Sequence, residues 1–265
     1  MAPTSILFYK DVGHSQEGAQ EVVSLFGDKG VFDGPKPVRL LERLITLANL
    51  KEDSIVLDFF SGSATTAHAV MKKNAEKAKH SRFIMVQLPE EVSDKKKDQG
   101  YKNICEIGKE RIRRAGAKIK ADSPLTTQHL DTGFRVFKLD SSNMKDVFYS
   151  PKETSQLELF TLVDNVKDDR TSEDLLFQVM LELSATLDSK IEESVVDGKT
   201  IYNVAEGYLV ACFDQEVSDD VVKAIAKMQP TYAVLRDTSL VDDATATNFE
   251  QIFKTYAPNT TTKIL

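Results

Sequence analysis

The chain reads as an α/β protein whose larger first part is followed by a second, smaller α/β domain. Three observations carry that reading. Ser54-Ile55-Val56-Leu57 is a short apolar, β-branched run between charged residues, as a fully buried parallel strand should be, and a small-residue turn and a helix-like stretch follow it. Arg82 to Leu88 repeats the strand pattern directly after that helix, giving a strand-helix-strand unit. The last hundred residues then alternate helical and strand patterns a second time.

Taken in order, Ile6 to Phe32 is broken by Gly13, Gly18, Gly27 and Gly30, and only Glu17 to Phe26 has helical spacing. Gly34-Pro35-Lys36-Pro37 leads stiffly into a helix reaching about Leu50, with Leu41, Leu44, Ile45 and Ala48 on one face. Asp53 to Phe60 is the first strand, Thr65 to about Ala78 a helix and Arg82 to Leu88 the second strand. Ser93 to Gly100, with Lys95-Lys96-Lys97, reads as a solvated loop. Tyr101 to Lys120 is a basic amphipathic helix, with Ile104, Ile107, Ile112 and Ala115 opposite Lys109, Arg111, Arg113 and Arg114; the basic face is either simply solvated or turned toward phosphates. Gly133 to Leu139 alternates as a strand, and residues 140–169 are polar and irregular, with Ser150-Pro151 as a breaker. Beyond these come a helix from Ser172 to Leu187, a hairpin of Thr200 to Ala205 and Tyr208 to Phe213, and a helix from Asp219 to Met228. A strand from Tyr232 to Leu235, a helix from Thr245 to Tyr256 and a short strand at Lys263 to Leu265 finish the chain. The expected domains are residues 1–145, a linker over 146–170, and residues 171–265.

The stretch from Asp58 to Val70 carries the chemistry. Gly62 between Ser61 and Ser63 lets the backbone turn tightly, and Ser63, Thr65 and Thr66 can either cap the following helix or bond a ligand. Free amides at that helix end suit an anionic or polar group. Gly-x-Gly-x-x-Gly is absent and no Gly-Lys-Ser/Thr follows the turn, so neither a dinucleotide fingerprint nor a phosphate loop is present.

Asp58-Phe59-Phe60-Ser61-Gly62-Ser63-Ala64-Thr65-Thr66 resembles the S-adenosyl-L-methionine motif of amino-methylating DNA methyltransferases. Lys36-Pro37, followed by Leu40-Leu41-Glu42-Arg43-Leu44-Ile45, resembles the motif that precedes it in the permuted β group. Phe83 to Glu90, Glu110 to Gly116 and Gly133 to Leu139 are similar to segments of the modification subunits of type III restriction-modification systems, and the resemblance runs from about Ile6 to the C-terminus. It implies a partial Rossmann-like methyltransferase sheet that holds S-adenosyl-L-methionine, in an enzyme that methylates adenine N6 in DNA.

Residue by residue, the resemblance sets Lys36 and Pro37 against the methionine end of the cofactor, where an ammonium can pair with a carboxylate; otherwise Lys36 is a plain exposed lysine. Asp58 positions the turn and the cofactor's amino end, or merely bonds its own turn's amides. Phe59, Phe60, Gly62, Ser63, Ala64 and Thr65 complete the motif, with Phe60 bordering the cofactor and Ala64 standing where Gly is frequent. Glu90, past the second strand, takes the ribose hydroxyls; adjacent Glu91 competes for the role, and Glu90 is preferred because it matches the motif. The family's Asp/Asn/Ser-Pro-Pro-aromatic motif, which positions the target amine, is missing, for no Pro-Pro occurs in these 265 residues. The expectation is therefore a C-terminal fragment without catalytic residues of its own and inactive alone. Its C-terminal domain would form a homodimer and dock the restriction subunit, with DNA a partner of the intact parent.

Composition sets outer limits. A content of 41% apolar and 28% charged residues is that of a globular protein, with no run long enough to span a bilayer and no secretory pattern in Met1-Ala2-Pro3-Thr4, so the cytoplasm is expected. Cys105 and Cys212 are far apart and the four histidines scattered, so no metal site is expected. The net charge of −7 is uneven: residues 1–150 hold 24 Lys and Arg against 20 Asp and Glu, residues 151–265 hold 10 against 21. Only the first part can sit near phosphates. Two other classes stay open: a non-enzymatic oligomerisation or docking module, and a small-molecule enzyme with the same turn.

Overall fold

A computed structural model describes residues 6–28, 30–145, 165–239 and 243–265. The chain divides into two compact units, Met1–Phe134 and Arg135–Leu265. Most of the expected linker, 146–170, lies outside the described residues.

In the first unit a parallel pair of strands, β1 (Ile55–Asp58) and β2 (Arg82–Met85), is connected by helix α4 (Thr65–Lys77). Before it come α1 (Tyr9–Val12), α2 (Ser15–Phe26) and α3 (Val38–Ala48); after it come α5 (Asp94–Asp98) and α6 (Ile104–Asp122). The register sets Ile55 opposite Arg82 and Asp58 opposite Met85. Asn74 clasps the turn from α4 into β2, donating to the Ser81 carbonyl at 2.8 Å and accepting the Ser81 N–H at 3.2 Å.

The expected full burial of the first strand is not met. Val56 and Phe83 pack on Ile45, Ala69 and Val70, whereas Ile55 and Leu57 are 51% and 56% exposed and Ile84, Val86 and Leu88 are exposed beside them. The helices cover one face of the pair, and alternation leaves every second residue on the other. Helix α3 also turns differently from its expected face: Val38, Glu42 and Ile45 are buried, while Leu44 and Ala48 are exposed. Glu42 tolerates burial because Lys72 lies 3.1 Å from its carboxylate and Lys73 3.9 Å.

Gly18, read as a breaker, lies inside α2. A Cβ there would sit 2.3 Å from the Pro35 carbonyl oxygen, so its absence lets the Pro35-Lys36 backbone cross the helix at close range. Ser93 to Gly100 contains the short helix α5, tied down by Lys96 to Asp33 at 3.0 Å and Lys97 to Glu91 at 2.8 Å.

Gly133 to Leu139 forms no strand. Phe134 packs into the cluster of Ala67, Met71, Ile112 and Ala115, while the Phe137 ring meets Phe177 edge-on at 4.8 Å, so successive side chains serve different cores and the backbone has no ladder partner.

The second unit carries a five-stranded sheet in the order β3 (Ile191–Val196), β4 (Lys199–Val204), β5 (Leu209–Cys212), β6 (Tyr232–Leu235) and β7 (Thr261–Ile264). β4 runs antiparallel to its neighbours β3 and β5, and β5, β6 and β7 run parallel. Helix α7 (Ser172–Glu182) packs on one face through Leu175, Leu176, Val179 and Met180. Helices α8 (Asp219–Lys227) and α9 (Asp243–Tyr256) pack on the other through Val221, Ile225, Phe249 and Phe253. β5, central and covered on both faces, is buried at all four positions. α7 begins on a capping box between Thr171 and Asp174 and stops at Glu182 instead of Leu187, because Ser184 turns left-handed at φ 59°. Among the described residues no helix is long and apolar enough to cross a membrane.

Candidate functional site

The site is assembled at the carboxyl ends of β1 and β2, where open parallel sheets present ligand-binding turns. Asp58 closes β1, and its carboxylate is divided: Oδ1 accepts the Phe60 N–H at 3.3 Å and Oδ2 the Thr66 hydroxyl at 2.5 Å. The same side chain thus holds both the start of the turn and the first turn of α4. The continuation of β2 closes the other side, since the Ser61 N–H donates to the Val86 carbonyl at 3.2 Å and the Gly62 N–H to Gln87 Oε1 at 2.8 Å. Gly62 is left-handed at φ 51°, and a Cβ on it would lie 3.1 Å from the Phe32 ring. Ala64 is also left-handed, at φ 58°, a conformation that costs an alanine about 1 kcal/mol relative to glycine. The turn forms despite that cost.

Ser63 and Thr65 are buried, and their hydroxyls face inward: Arg111 Nη1 donates to Ser63 Oγ at 2.9 Å and to Thr65 Oγ1 at 2.8 Å. Neither hydroxyl caps α4. Among the described residues the N–H groups of Thr65, Thr66 and Ala67 find no acceptor in the chain. Phe59 and Phe60 stand out at 62% and 79% exposed, ring against ring at 5.5 Å. Glu90 is exposed after β2, and its backbone carbonyl receives the Ile104 N–H at 3.0 Å. The two adjacent acids differ: Lys97 holds the Glu91 carboxylate at 2.8 Å and keeps it below the usual carboxylate range, whereas Glu90 has no side-chain partner among the described residues. Lys36 is exposed and Pro37 buried, directly before α3. Asp58 to Thr65 therefore form one bonded turn, to which neither Lys36 nor Glu90 makes a direct bond.

Arg111 is the residue that sequence reading misplaced. Expected on the basic face of α6, it is fully buried. The stripe Ile104, Ile107, Gly108, Arg111, Ile112, Ala115 has helical core spacing, and that spacing is the signal that would have found it. Lys109, Arg113 and Arg114 all meet carboxylates of their own helix, at 2.7, 3.5 and 2.6 Å, with Arg114 also stacked on Phe26. Burial lowers the Arg111 pKa to about 10, so it stays cationic at neutral pH.

His68, one turn into α4, has a buried Nδ1 with no partner. Burial, helped by the cations Arg111, Lys72 and Lys118, lowers its pKa to about 3. Among the described residues no group of three or more His, Cys, Asp or Glu could hold a metal ion. Both cysteines are free; burial raises the Cys212 thiol pKa to about 11 and pushes that of half-buried Cys105 upward.

These features define an α/β protein with a bonded strand-to-helix turn, held from within by a buried cation. Residues 5–114 match the model of the DNA methylase family N6_N4_Mtase. Over 133 residues, 49% of the chain, it is 44% identical to the Mod subunit of the type III restriction-modification enzyme StyLTI of Salmonella typhimurium. It is 38% identical over 136 residues, 51% of the chain, to the Mod subunit of EcoPI from Escherichia phage P1. A shorter match, 39% over 62 residues (23% of the chain, 14% of the relative), joins it to the type II methyltransferase M.KpnI of Klebsiella pneumoniae. The matched part covers about a fifth of the length of the two Mod subunits.

The native protein keeps His68 neutral well below pH 6.5, whereas the unfolded chain takes up that proton near pH 6.5. Stability from this group is therefore full above pH 6.5 and falls by roughly 1.4 kcal/mol per pH unit on the way down to about pH 3. Chemical denaturation at pH 6.5 and 4.5 should show a steeper loss for the wild type than for His68→Gln; parallel losses would mean that His68 is protonated in the fold.

Proposed function

We propose that this chain is the cofactor-holding part of a DNA adenine-N6 methyltransferase of the modification-subunit kind. β1 and β2 would belong to a Rossmann-like sheet, and the turn from Asp58 to Thr65 would bind S-adenosyl-L-methionine. The observation that carries the reading is the turn itself: the segment that matches a DNA methylase family presents, at the ends of two parallel strands, a bonded turn with free helix amides beside an unengaged acid.

The residues present fit the cofactor. Glu90 offers a carboxylate with no side-chain partner among the described residues, suited to two ribose hydroxyls. Lys36 offers an exposed ammonium for a carboxylate, with Pro37 fixing the backbone beside it. Phe60, with its neighbour Phe59, presents an exposed ring to border the ligand. Asp58, Gly62, Ser63, Ala64 and Thr65 form the turn; Asp58 sets its shape, and Ser63 and Thr65 anchor it inward, so its amides and not its hydroxyls face a ligand. When bound, S-adenosyl-L-methionine supplies the methyl group. Holding a flipped adenine and its amino group requires acceptors and a stacking ring, which the Pro-Pro-aromatic motif provides in this family and which these 265 residues do not contain. The chain alone therefore binds cofactor without transferring methyl.

The second unit is assigned to assembly. Its acidic balance suits protein contact better than DNA, and we assign it a homodimer interface and a dock for a restriction subunit, with DNA a partner of the complete enzyme and the cytoplasm its place of work.

Calorimetric titration with S-adenosyl-L-methionine should give saturable binding, and Glu90→Ala, which removes no internal bond, should weaken it about tenfold to a hundredfold while leaving stability unchanged. Equal affinity in wild type and variant would remove Glu90 from the site. Incubation of the chain with tritiated cofactor and DNA should leave the DNA unlabelled; specific labelling would refute the claim that it does not transfer methyl. Size-exclusion chromatography with light scattering should return a dimer whose mass is independent of concentration, and a monomer would count against the assembly role.

A further inference from the structure

Two of the segments that contribute to the proposed cofactor site, Lys36-Pro37 and the turn from Asp58 to Thr65, are joined in the structure through side chains that belong to neither. The Val38 N–H, immediately after Lys36-Pro37, donates to both carboxylate oxygens of Glu21, at 3.1 and 3.0 Å. Glu21 on α2 thereby caps α3, whose own N-cap residue, Pro37, has no side-chain group for the purpose. Glu21 Oε2 in turn lies 3.6 Å from Arg111 Nη2, and Arg111 Nη1 bonds Ser63 and Thr65. An unbroken polar line therefore runs from the start of α3 through α2 and α6 to the turn.

Core filling does not explain Arg111. A buried guanidinium is costly unless fully bonded, and here Nε and Nη2 have no hydrogen-bond partner while the side chain is inaccessible to water. An apolar side chain of similar length would fill the same space without that cost. What an apolar side chain cannot do is fix the turn's two hydroxyls and a carboxylate from another helix at the same time. Burial pushes the Glu21 carboxyl above its usual range, against the pull of the Val38 amide and of Arg111.

We propose that Arg111 and Glu21 are positioning residues that hold Lys36-Pro37 and the binding turn in one arrangement, and that cofactor affinity depends on this link and not only on the stability of the fold. The proposal rests on the cofactor reading above, and its failure is distinguishable from the failure of that reading.

The test is calorimetric titration of the whole chain with S-adenosyl-L-methionine, paired with chemical denaturation, for wild type, Arg111→Met, Arg111→Lys, Glu21→Gln and Val22→Ala. Val22 is buried on α2 beside Glu21 and takes no part in the polar line, so it serves as a stability control. Arg111→Met, which strands Glu21, Ser63 and Thr65, should bind at least tenfold more weakly, a larger loss of affinity than Val22→Ala shows for a comparable loss of stability. Arg111→Lys should recover part of the affinity, Glu21→Gln should lose several-fold, and Val22→Ala should lose stability at unchanged affinity. A folded Arg111→Met chain that binds within twofold of wild type overturns the proposal. So does a Val22→Ala chain that loses as much affinity as Glu21→Gln, because affinity then follows stability alone. If Arg111→Met does not fold, the comparison of Glu21→Gln with Val22→Ala decides. A wild-type chain that does not bind overturns the cofactor reading and this proposal together, whereas binding that ignores these substitutions overturns only the link.

Discussion

The first unit depends on one buried cation. Arg111 extends from α6 beneath the strand-to-helix turn, and its two hydrogen bonds fix where Ser63 and Thr65 can be. Those hydroxyls are taken up by Arg111 and do not cap α4, and Asp58 closes the loop by its bonds to Phe60 and Thr66. The cation also sets the electrostatics around it. Together with burial it keeps His68 neutral, and its attraction opposes the upward push of burial on Glu21. A buried charge contributes little to stability on balance, but removing one partner leaves the others stranded, which makes such a cluster specific in its geometry.

The two units solve the problem of covering a sheet differently. In the second, helices lie on both faces, and the central strand β5 is buried throughout. In the first, α3, α4 and α6 surround only the face that holds Val56, Phe83 and Met85. The binding turn projects from the end of this half-covered pair, so its rigidity comes from the side chains beneath it and from the clasp of Gln87 on Gly62, not from a thick sheet.

Much of this was legible in the sequence where the determining contacts are local. The run Ser54 to Leu57, the glycine-centred turn, the helix after it and the strand at Arg82 follow from short-range pattern, and each is found within a few residues of its expected limits. The parallel pairing of the two strands follows from the helix between them. Strand β3 was missed although Asp197-Gly198, both left-handed in the hairpin, is a turn signal, because Ile191 to Val196 includes two adjacent glutamates and lies at an edge where polar residues are tolerated. Arg111 was missed for a different reason. Its partners Ser63 and Thr65 lie more than forty positions away, and a charge on a helix is ordinarily assigned to water before its place in the apolar stripe is weighed. The bond from Lys97 that sets Glu91 apart from Glu90 is likewise announced by no local pattern.

The bare face formed by Ile55, Leu57, Ile84, Val86 and Leu88 gives the chain a colloidal character of its own. Contiguous apolar surface of this kind is attractive between copies, while a net charge of −7 keeps them apart at low ionic strength. Salt acts on both terms in the same direction: at about 0.1 M it screens the repulsion beyond roughly 10 Å, and sulfate or phosphate at higher concentration strengthens apolar burial. The ionic medium thus shifts the balance between attraction and repulsion of copies toward attraction as salt rises.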